Sequence, residues 1–296
     1  MTIKLSKIEI LALRALSQED FSAGKLAEKL GAKPSFVSRV LKSLAAKGLA
    51  TIEKQATLRI ARLSTASHAQ AFKKLSDSRM ASRMEDWLSG YAMGILVVAS
   101  GNGATPSLLL DEAGCSATTL YKSLKLLASA GTIKRKRGIV EITDKLLREF
   151  TDAYADNLQL VAQRSARGRN ISIRVRKHVV IRTDATEVPP HFTQTGLSAL
   201  ANNGLEAMLT SFRDFYFNLG GQKRNVSLEE SFIHALLLTT SQQHQDMTVL
   251  GIFFTRNKRR LGLGALKNFA RIYLVEDAFE EIRGKAEFYE KMKGME

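Results

Sequence analysis

Apolar residues between positions 26 and 48 recur at helical spacing, and the same pattern returns 83 positions later without a gap. In the first copy Val37, Leu41 and Leu44 occupy positions i, i+4 and i+7, which predicts a helix with one buried face. Leucines stand at the three matching positions of the second copy, residues 109–131. In each copy one glycine precedes and another follows the predicted helix, which is typical of a helix-turn-helix. The pattern therefore predicts the same structural unit twice.

The polar face of the two predicted helices repeats as well. Arg39 aligns with Lys122 and Lys42 with Lys125, and hydroxyl groups match at a neighbouring position. A repeat that keeps both an apolar and a basic face indicates two DNA-binding modules, because the second helix of such a motif enters the major groove. The exposed helix positions that we expect to contact DNA are Ser35, Ser38, Arg39, Lys42, Thr118, Thr119, Tyr121, Lys122 and Lys125.

Each copy is followed by a predicted β-hairpin. Residues 49–54 and 58–63 predict two strands joined by 55–57, and a shorter pair spans 132–142 with four consecutive cations at its tip. Three helices followed by a hairpin make a winged helix, whose wing lies along the DNA backbone. Four adjacent cations repel one another, so contact with phosphates explains their presence. The wing residues that we expect near phosphates are Lys54, Arg59, Arg62, Lys134, Arg135, Lys136 and Arg137.

Further helices complete the two modules. An apolar stripe from Ser6 onward predicts the first helix of module one, and Phe21-Ser22 is expected to open its second helix. Met84 to Ser100 is expected to form one helix at the start of module two. Thr143 to Arg164 predicts a long helix, for which two alternatives remain: a dimer interface and a packed connector.

The last third of the chain has a different pattern. Alternating apolar residues from Ile171 predict a strand pair or one bent strand, and residues 212–217 predict an aromatic strand. Ser227-Leu-Glu-Glu230 predicts a capping box at the start of a helix, and most of the chain after that helix is predicted to be helical too. The predicted fold class is mainly α with α+β parts: two winged helix-turn-helix domains at 1–70 and 71–165, followed by an α+β C-terminal domain at 166–296.

Two short blocks in the last third carry a resemblance. Thr195-Gly-Leu-Ser-Ala-Leu, continued by Gly204-Leu205, and His234-Ala-Leu-Leu-Leu resemble the C-terminal domain of AbiEi-type antitoxins and related prokaryotic, often archaeal, regulators. The resemblance extends over residues 171–285. It implies a winged helix ahead of an α+β domain, binding to operator DNA and repression of the protein's own promoter. The first module by itself resembles the MarR-like winged helices.

The charge of the chain favours a polyanionic partner. The 296 residues have a formal net charge of +15, and residues 1–170 hold 27 Lys and Arg against 15 Asp and Glu. The basic excess lies with the two modules, as nucleic-acid binding requires. Cys115 is the only cysteine, which rules out an intrachain disulfide and favours a reducing cytoplasm. Because there is neither a signal-peptide pattern nor an apolar run of membrane length, we expect a cytoplasmic protein that does not enter a membrane.

The motifs of common catalytic sites are missing from the sequence. Gly220-Gly221 is not followed by the spaced Asp pair with which a nucleotidyltransferase holds magnesium. Cys115 is expected to serve packing, and His234 in its apolar helix is expected to be a core residue. The histidines that lack metal-ligand spacing are His178, His191, His234 and His244. We therefore expect no enzyme activity, no cofactor and no metal.

Together these features predict a sequence-specific DNA-binding transcriptional regulator that uses tandem winged helices. Its expected partner is double-stranded DNA, with its own promoter as one target, and homodimerisation stays open. The alternative is an antitoxin-like interaction module whose C-terminal domain binds a partner protein. A nucleotidyltransferase-like enzyme is the less favoured alternative.

Overall fold

The computed structural model describes residues 3–55, 58–205, 211–221, 223–241 and 247–293. In this part of the chain helices predominate, and the strands form three small antiparallel sheets. The chain divides into two compact units, Met1–Leu160 and Val161–Glu296, and both sequence repeats lie in the first. The mixed α and β character is confirmed, whereas the division into three domains stays a prediction. Across the described ranges, no helix combines the length and the apolar content needed to span a bilayer.

The first repeat is built from four helices and a three-stranded sheet. Its elements are α1 (Lys7–Leu16), β1 (Phe21–Ser22), α2 (Ala23–Leu30), α3 (Pro34–Ala46), β2 (Ala50–Gln55), β3 (Leu58–Leu63) and α4 (Ser67–Ser78). Strand β3 lies between β1 and β2 and is antiparallel to both. The prediction that Phe21-Ser22 opens the second helix is wrong for Phe21, which lies in strand β1, and right for Ser22, which is the N-cap. Phe21 pairs with Ala61 of β3, and Ser22 caps α2 by accepting a hydrogen bond from the backbone of Lys25.

The second repeat contains the elements α5 (Met84–Trp87), α6 (Ala92–Ala99), α7 (Pro106–Ala113), α8 (Ala117–Ser129), β4 (Ile133–Lys136), β5 (Ile139–Ile142) and α9 (Lys145–Ser165). The prediction of one helix from Met84 to Ser100 is wrong, because residues 88–91 are not helical. Gly90 has a φ of 70°, and its N–H donates a hydrogen bond to the carbonyl of Leu5 at 2.8 Å. This contact with the N-terminal segment takes the place of a helical hydrogen bond and divides the helix.

The sequence repeat is also a structural repeat. Helices α7 and α8 begin and end 83 positions after α2 and α3. Gly31 and Gly114 end α2 and α7 in the same left-handed conformation, with φ of 61° and 60°. The pairing of Phe21 with Ala61 returns as an isolated bridge between Ala104 and Val140. The second hairpin is therefore shorter, while α7 and α8 directly before it keep the lengths of α2 and α3.

Helices α4 and α9, which follow the two hairpins, pack against each other. The ring of Phe72 meets that of Phe150 edge-on, with the centroids 5.3 Å apart, and Phe150 stacks on Tyr154 at 5.7 Å. Asn157 of α9 donates a hydrogen bond to the carbonyl of Lys47 at 2.9 Å. This part of the long helix is thus packed within its own unit, so these side chains are not available to a second copy.

The connector between the repeats is held by two arginines. The Arg14 guanidinium donates hydrogen bonds of 2.8 Å to the carbonyls of Met80 and Ser82. Arg79 donates to the carbonyl of Ala130 at 2.9 Å and forms an ion pair with Asp144 at 2.5 Å. Arg14 thus ties the first repeat to the connector, and Arg79 ties the connector to the second repeat. Because these hydrogen bonds satisfy backbone carbonyls, the two repeats are joined as one unit rather than by a free linker.

The second unit combines an antiparallel sheet with a helical layer. Its elements are β6 (Asn170–Val175), β7 (His178–Thr183), β8 (Thr193–Thr195), α10 (Gly196–Ala201), β9 (Arg213–Asn218), α11 (Leu228–Ser241), α12 (Met247–Asn257), α13 (Leu263–Tyr273) and α14 (Glu276–Lys293). The strand order is β6-β7-β9-β8. Helix α11 is buried from Glu230 to Thr239 and forms the centre of the apolar core. The predicted strand pair and aromatic strand are confirmed.

Candidate nucleic-acid interface

Helix α3 presents a cationic face to solvent. Val37, Leu41 and Leu44 are buried, which fixes the orientation of the helix. Arg39 and Lys42 lie on the opposite side, are exposed, and form no ion pair within the described residues. Of the hydroxyl positions expected on this face, Ser35 is exposed and Ser38 is half-buried. The helix can therefore offer two uncompensated positive charges to a ligand.

Helix α8 repeats this arrangement. Lys122 and Lys125 are exposed and have no ion-pair partner in the part of the chain that the structure describes. Thr118 and Tyr121 are exposed beside them. Thr119 is half-buried and its hydroxyl lies 3.0 Å from that of Ser116, which caps the helix by accepting a hydrogen bond from the Thr119 N–H. Four of the five predicted contact residues on this helix are thus fully accessible.

The hairpin β2–β3 of the first repeat differs from the prediction at one residue. Lys54 and Arg59 are exposed and stand directly opposite each other across the two strands. Like charges in this register repel, so the pair favours an anion between or beside them. Arg62 is different, because its guanidinium forms ion pairs with Asp20 at 2.8 Å and Glu53 at 3.3 Å. Its charge is already compensated, and it is a weaker candidate for phosphate contact than the sequence suggests.

The hairpin β4–β5 concentrates charge at a strained turn. Arg137 and Gly138 form its two-residue turn, and both have positive φ, 50° and 81°. Such turns strongly favour asparagine or glycine at the first position, and an arginine there costs about 1 kcal/mol or more. Arg135, Lys136 and Arg137 are exposed without ion pairs among the described residues, whereas Lys134 lies 3.7 Å from Glu141. The tip holds three available cations, and the backbone conformation at one of them, Arg137, does not favour arginine.

Phe36 is a further exposed residue of α3 and is not among the predicted contact residues. This residue occupies the third position of α3, and 40% of its surface is exposed. The Arg39 guanidinium lies 5.7 Å from the centre of its ring, a cation–π distance. One signal was present in the sequence, because Phe36 lies outside the apolar stripe formed by Val37, Leu41 and Leu44. An exposed aromatic ring therefore adjoins the cationic face.

A buried ion pair holds α3 against α1. The ammonium group of Lys47 and the carboxylate of Glu9 are both buried, and Ser43 donates a further hydrogen bond of 2.7 Å to the carboxylate. Burial raises the pKa of Glu9, but the hydrogen bonds from Lys47 and from the Ser6 N–H lower it, and the net pKa lies below its ordinary value. The charged pair fixes the position of the helix that carries the cationic face.

The second unit contains a different, inward-facing cluster of charged and aromatic side chains. Arg224 donates hydrogen bonds to both carboxylate oxygens of Glu230, one of them at 2.6 Å, and the Tyr273 hydroxyl donates to the same carboxylate at 2.5 Å. The Arg224 guanidinium also lies over the ring of Tyr216, 4.5 Å from its centre. Burial raises the pKa of Glu230, but the hydrogen bond from Arg224 lowers it, and the net pKa lies below its ordinary value. These contacts join β9, α11 and α13.

Glu230 corrects the predicted capping box. Ser227 does accept a hydrogen bond from the Glu230 N–H at 3.1 Å, as an N-cap does. The Glu230 side chain does not return to the N-cap, because its carboxylate is held by Arg224 and Tyr273. His234 is fully buried, and its Nδ1 lies 2.7 Å from the Thr195 hydroxyl. Burial lowers the pKa of His234 to about 3, so the ring is neutral at physiological pH.

The Thr195-Gly-Leu-Ser block has a local physical role. Gly196 has a φ of 56°, and a β-carbon there would lie 2.4 Å from the Asp214 carboxylate. That carboxylate accepts hydrogen bonds from the Leu197 N–H at 2.8 Å and from the Arg182 guanidinium at 2.7 Å and 3.1 Å. The glycine is therefore required for the close approach of Asp214 to the start of α10.

Metal-binding groups are not brought together in the described ranges, where no cluster of three or more His, Cys, Asp or Glu side chains has the arrangement of a metal site. His244 lies outside the described residues. Cys115 is half-buried between α7 and α8. The expected lack of a metal and of a cofactor stays a prediction.

Two comparisons with known proteins found no match for this chain. A scan against models of protein families gave no match, and a search of curated proteins gave none either.

Proposed function

We propose that the chain is a sequence-specific DNA-binding transcriptional regulator in which each repeat acts as a winged helix. Helices α3 and α8 enter the major groove at two places, and the hairpins β2–β3 and β4–β5 lie along the backbone. The observation that carries the proposal is the repeated cationic face: Arg39 and Lys42 on α3, and Lys122 and Lys125 on α8, all exposed without ion pairs among the described residues.

Several other cations of the first unit are paired with carboxylates, as Lys7 is with Asp86 and Lys74 with Glu149. Lys25 and Lys33 are exposed without an ion pair among the described residues, but each stands alone rather than in a repeated cluster. On the two helices and at the second hairpin tip the clustered cations are not matched. Cations kept unpaired on one surface are suited to phosphates, whose condensed counterions are released when a protein binds. Two such surfaces in one unit provide two contacts with a single duplex.

The proposal is tested by titrating the full chain against a duplex from its own upstream region and a scrambled duplex of the same composition. Both titrations are done at two salt concentrations. Tighter binding to the native duplex that persists at higher salt supports a regulator that recognises sequence. Equal and steeply salt-dependent binding to both duplexes, or no binding, contradicts it.

Two variants distinguish the contribution of the cationic surface to DNA binding from the contribution of the net charge. Lys122→Gln combined with Lys125→Gln removes two unpaired cations from α8, whereas Lys285→Gln removes an exposed cation that pairs with Glu281 at 2.6 Å. We expect the double variant to lose affinity for both duplexes and the control to bind as the parent does. Equal losses per charge removed in the two variants would show that net charge alone drives binding.

A further inference from the structure

The two cationic helices, α3 and α8, have the same length but carry different exposed aromatic residues. Because α3 and α8 are offset by 83 positions, Phe36 corresponds to Thr119, and Ser38 corresponds to Tyr121. Both cationic positions are the same in the two helices. The exposed aromatic ring differs in position, because it is Phe36 in α3 and Tyr121 in α8. At 100° per residue, these two places lie on opposite flanks of the cationic stripe.

Phe36 is not part of the buried face of α3. Its ring is 40% exposed, whereas the neighbouring Val37 is fully buried and supplies the contact with the rest of the unit. The exposed part of this large apolar side chain gains nothing for folding, so its burial against a ligand is a source of binding energy. It lies in the first turn of α3, the part of a recognition helix that contacts base edges.

The major groove presents one apolar group, the C5 methyl of thymine, and guanine offers two acceptors that suit an arginine fork. Phe36 and Arg39 are one turn apart on α3, and the ring and the guanidinium already contact each other. We propose that Phe36 is a specificity-determining residue that contacts a thymine methyl, beside a guanine bound by Arg39. This inference rests on the proposed function, because it assigns a base preference to the DNA-binding surface.

The second helix has a consequence for the sequence of the DNA site. Thr119, which replaces Phe36 in α8, is half-buried and bonded to Ser116, so it offers no comparable apolar surface. Tyr121 provides an exposed ring with a hydroxyl on the other flank of the cationic stripe. The two helices therefore have different base preferences, and the two halves of the target differ in sequence.

The test uses the full chain and a duplex selected by it from a random pool. Each thymine of the selected duplex is replaced in turn by deoxyuracil, which removes only the methyl group. We expect one thymine next to a guanine at which the replacement weakens binding about fourfold, the effect of one buried methyl group. Phe36→Ala is expected to bind the thymine and deoxyuracil duplexes equally well and to keep the parent's thermal midpoint, since the ring is exposed.

Tyr121→Ser provides the matched control, because it removes the ring of α8 and leaves that of α3. It should keep the deoxyuracil effect at the Phe36 position. If the parent selects a sequence but Phe36→Ala retains every deoxyuracil effect, the assignment of Phe36 is overturned while the proposed function stands. If the parent selects no sequence at all, both the proposed function and this inference are overturned.

Discussion

The ammonium group of Lys47 lies 2.5 Å from a carboxylate oxygen of Glu9, and both side chains are buried. The pair joins the first turn of α1 to the end of α3. The equivalent positions of the second repeat are Ala92 and Ala130, so that repeat has no such pair. The two repeats have the same helix-turn-helix elements but differ in the contacts that hold the cationic helix in place.

This pair predicts an asymmetric response to substitution. Lys47→Met leaves the Glu9 carboxylate buried without its cation, and we expect it to cost about 3–5 kcal/mol of unfolding free energy. The double variant Glu9→Leu, Lys47→Met removes both charges and should recover most of that loss. Urea unfolding followed by the fluorescence of Trp87, the single tryptophan, measures this in the first unit. A double variant as unstable as the single one would contradict the explanation.

The first hairpin predicts that two arginines three residues apart behave differently in DNA binding. Arg59 is exposed opposite Lys54, whereas Arg62 is held by Asp20 and Glu53. We expect Arg59→Gln to lower the slope of log affinity against log salt by about 0.9, the effect of one phosphate contact. Arg62→Gln should leave the slope unchanged, and equal changes in the two variants would refute the distinction.

The turn at Arg137 predicts opposite effects on folding and on binding. Asparagine tolerates the positive φ at this position better than arginine, so Arg137→Asn should stabilise the first unit by about 0.5–1 kcal/mol. It should also weaken DNA binding, because it removes a cation from the hairpin tip. Thermal unfolding and a duplex titration on the same preparation check both signs. A destabilised variant would show that Arg137 is required by the fold.

Gly48 and Gly131 are equivalent positions that predict unequal tolerance. Both have positive φ, 69° and 68°. A β-carbon at Gly48 would lie 3.1 Å from Asn157 and 3.2 Å from His68, whereas the space around Gly131 is open. Alanine should cost about 1 kcal/mol at either position through backbone strain, and more at Gly48. Chemical unfolding of the two variants tests the difference, and equal losses would show that strain alone matters.

Burial of His234 predicts a loss of stability on mild acidification. Its pKa is lowered from 6.5 to about 3 in the fold, so between these values the unfolded chain binds a proton that the folded chain does not. The free energy of unfolding then falls with decreasing pH by up to about 1.4 kcal/mol per unit from this group. Above pH 6.5 the histidine is neutral in both states and adds no pH dependence.

Hydrogen exchange of α11 at pH 7 and pH 5 measures this effect in the second unit. The His234→Asn variant cannot titrate, and its amide can still bond the Thr195 hydroxyl, which lies 2.7 Å from Nδ1 in the parent. After correction for the intrinsic exchange rates, we expect the parent to lose protection at pH 5 and the variant to lose less. An identical loss in both would assign the acid sensitivity to another group of this unit, such as His191, whose pKa is also lowered by burial.

Local patterns predicted the elements whose stabilising contacts are local. The amphipathic spacing of α3 and α8, the N-cap at Ser116 and the hairpins all agree with the structure. The errors at Phe21 and at Gly90 have one physical cause: each backbone is bonded to a residue far along the chain, Ala61 and Leu5 respectively. No periodicity within a short window contains such partners.

The same limit applies to the candidate sites. The Ser-x-x-Glu pattern at Ser227 correctly predicted the cap, but it could not show that Glu230 bonds Tyr273, 43 residues away. Charge counting likewise could not separate Arg62, which is paired, from Arg59, which is not. DNA binding, the antitoxin resemblance and a protein partner for the second unit stay predictions.

The packing of α4 on α9 also has a consequence for the synthesis of the chain. Phe72 leaves the ribosome 78 residues before Phe150, the side chain that covers it. At about 5–20 residues per second, the apolar face of α4 waits roughly 4–16 s for its partner. During that interval the apolar face of α4 lacks the contact with α9, so we expect the first repeat produced as an isolated fragment to be less stable than the whole first unit.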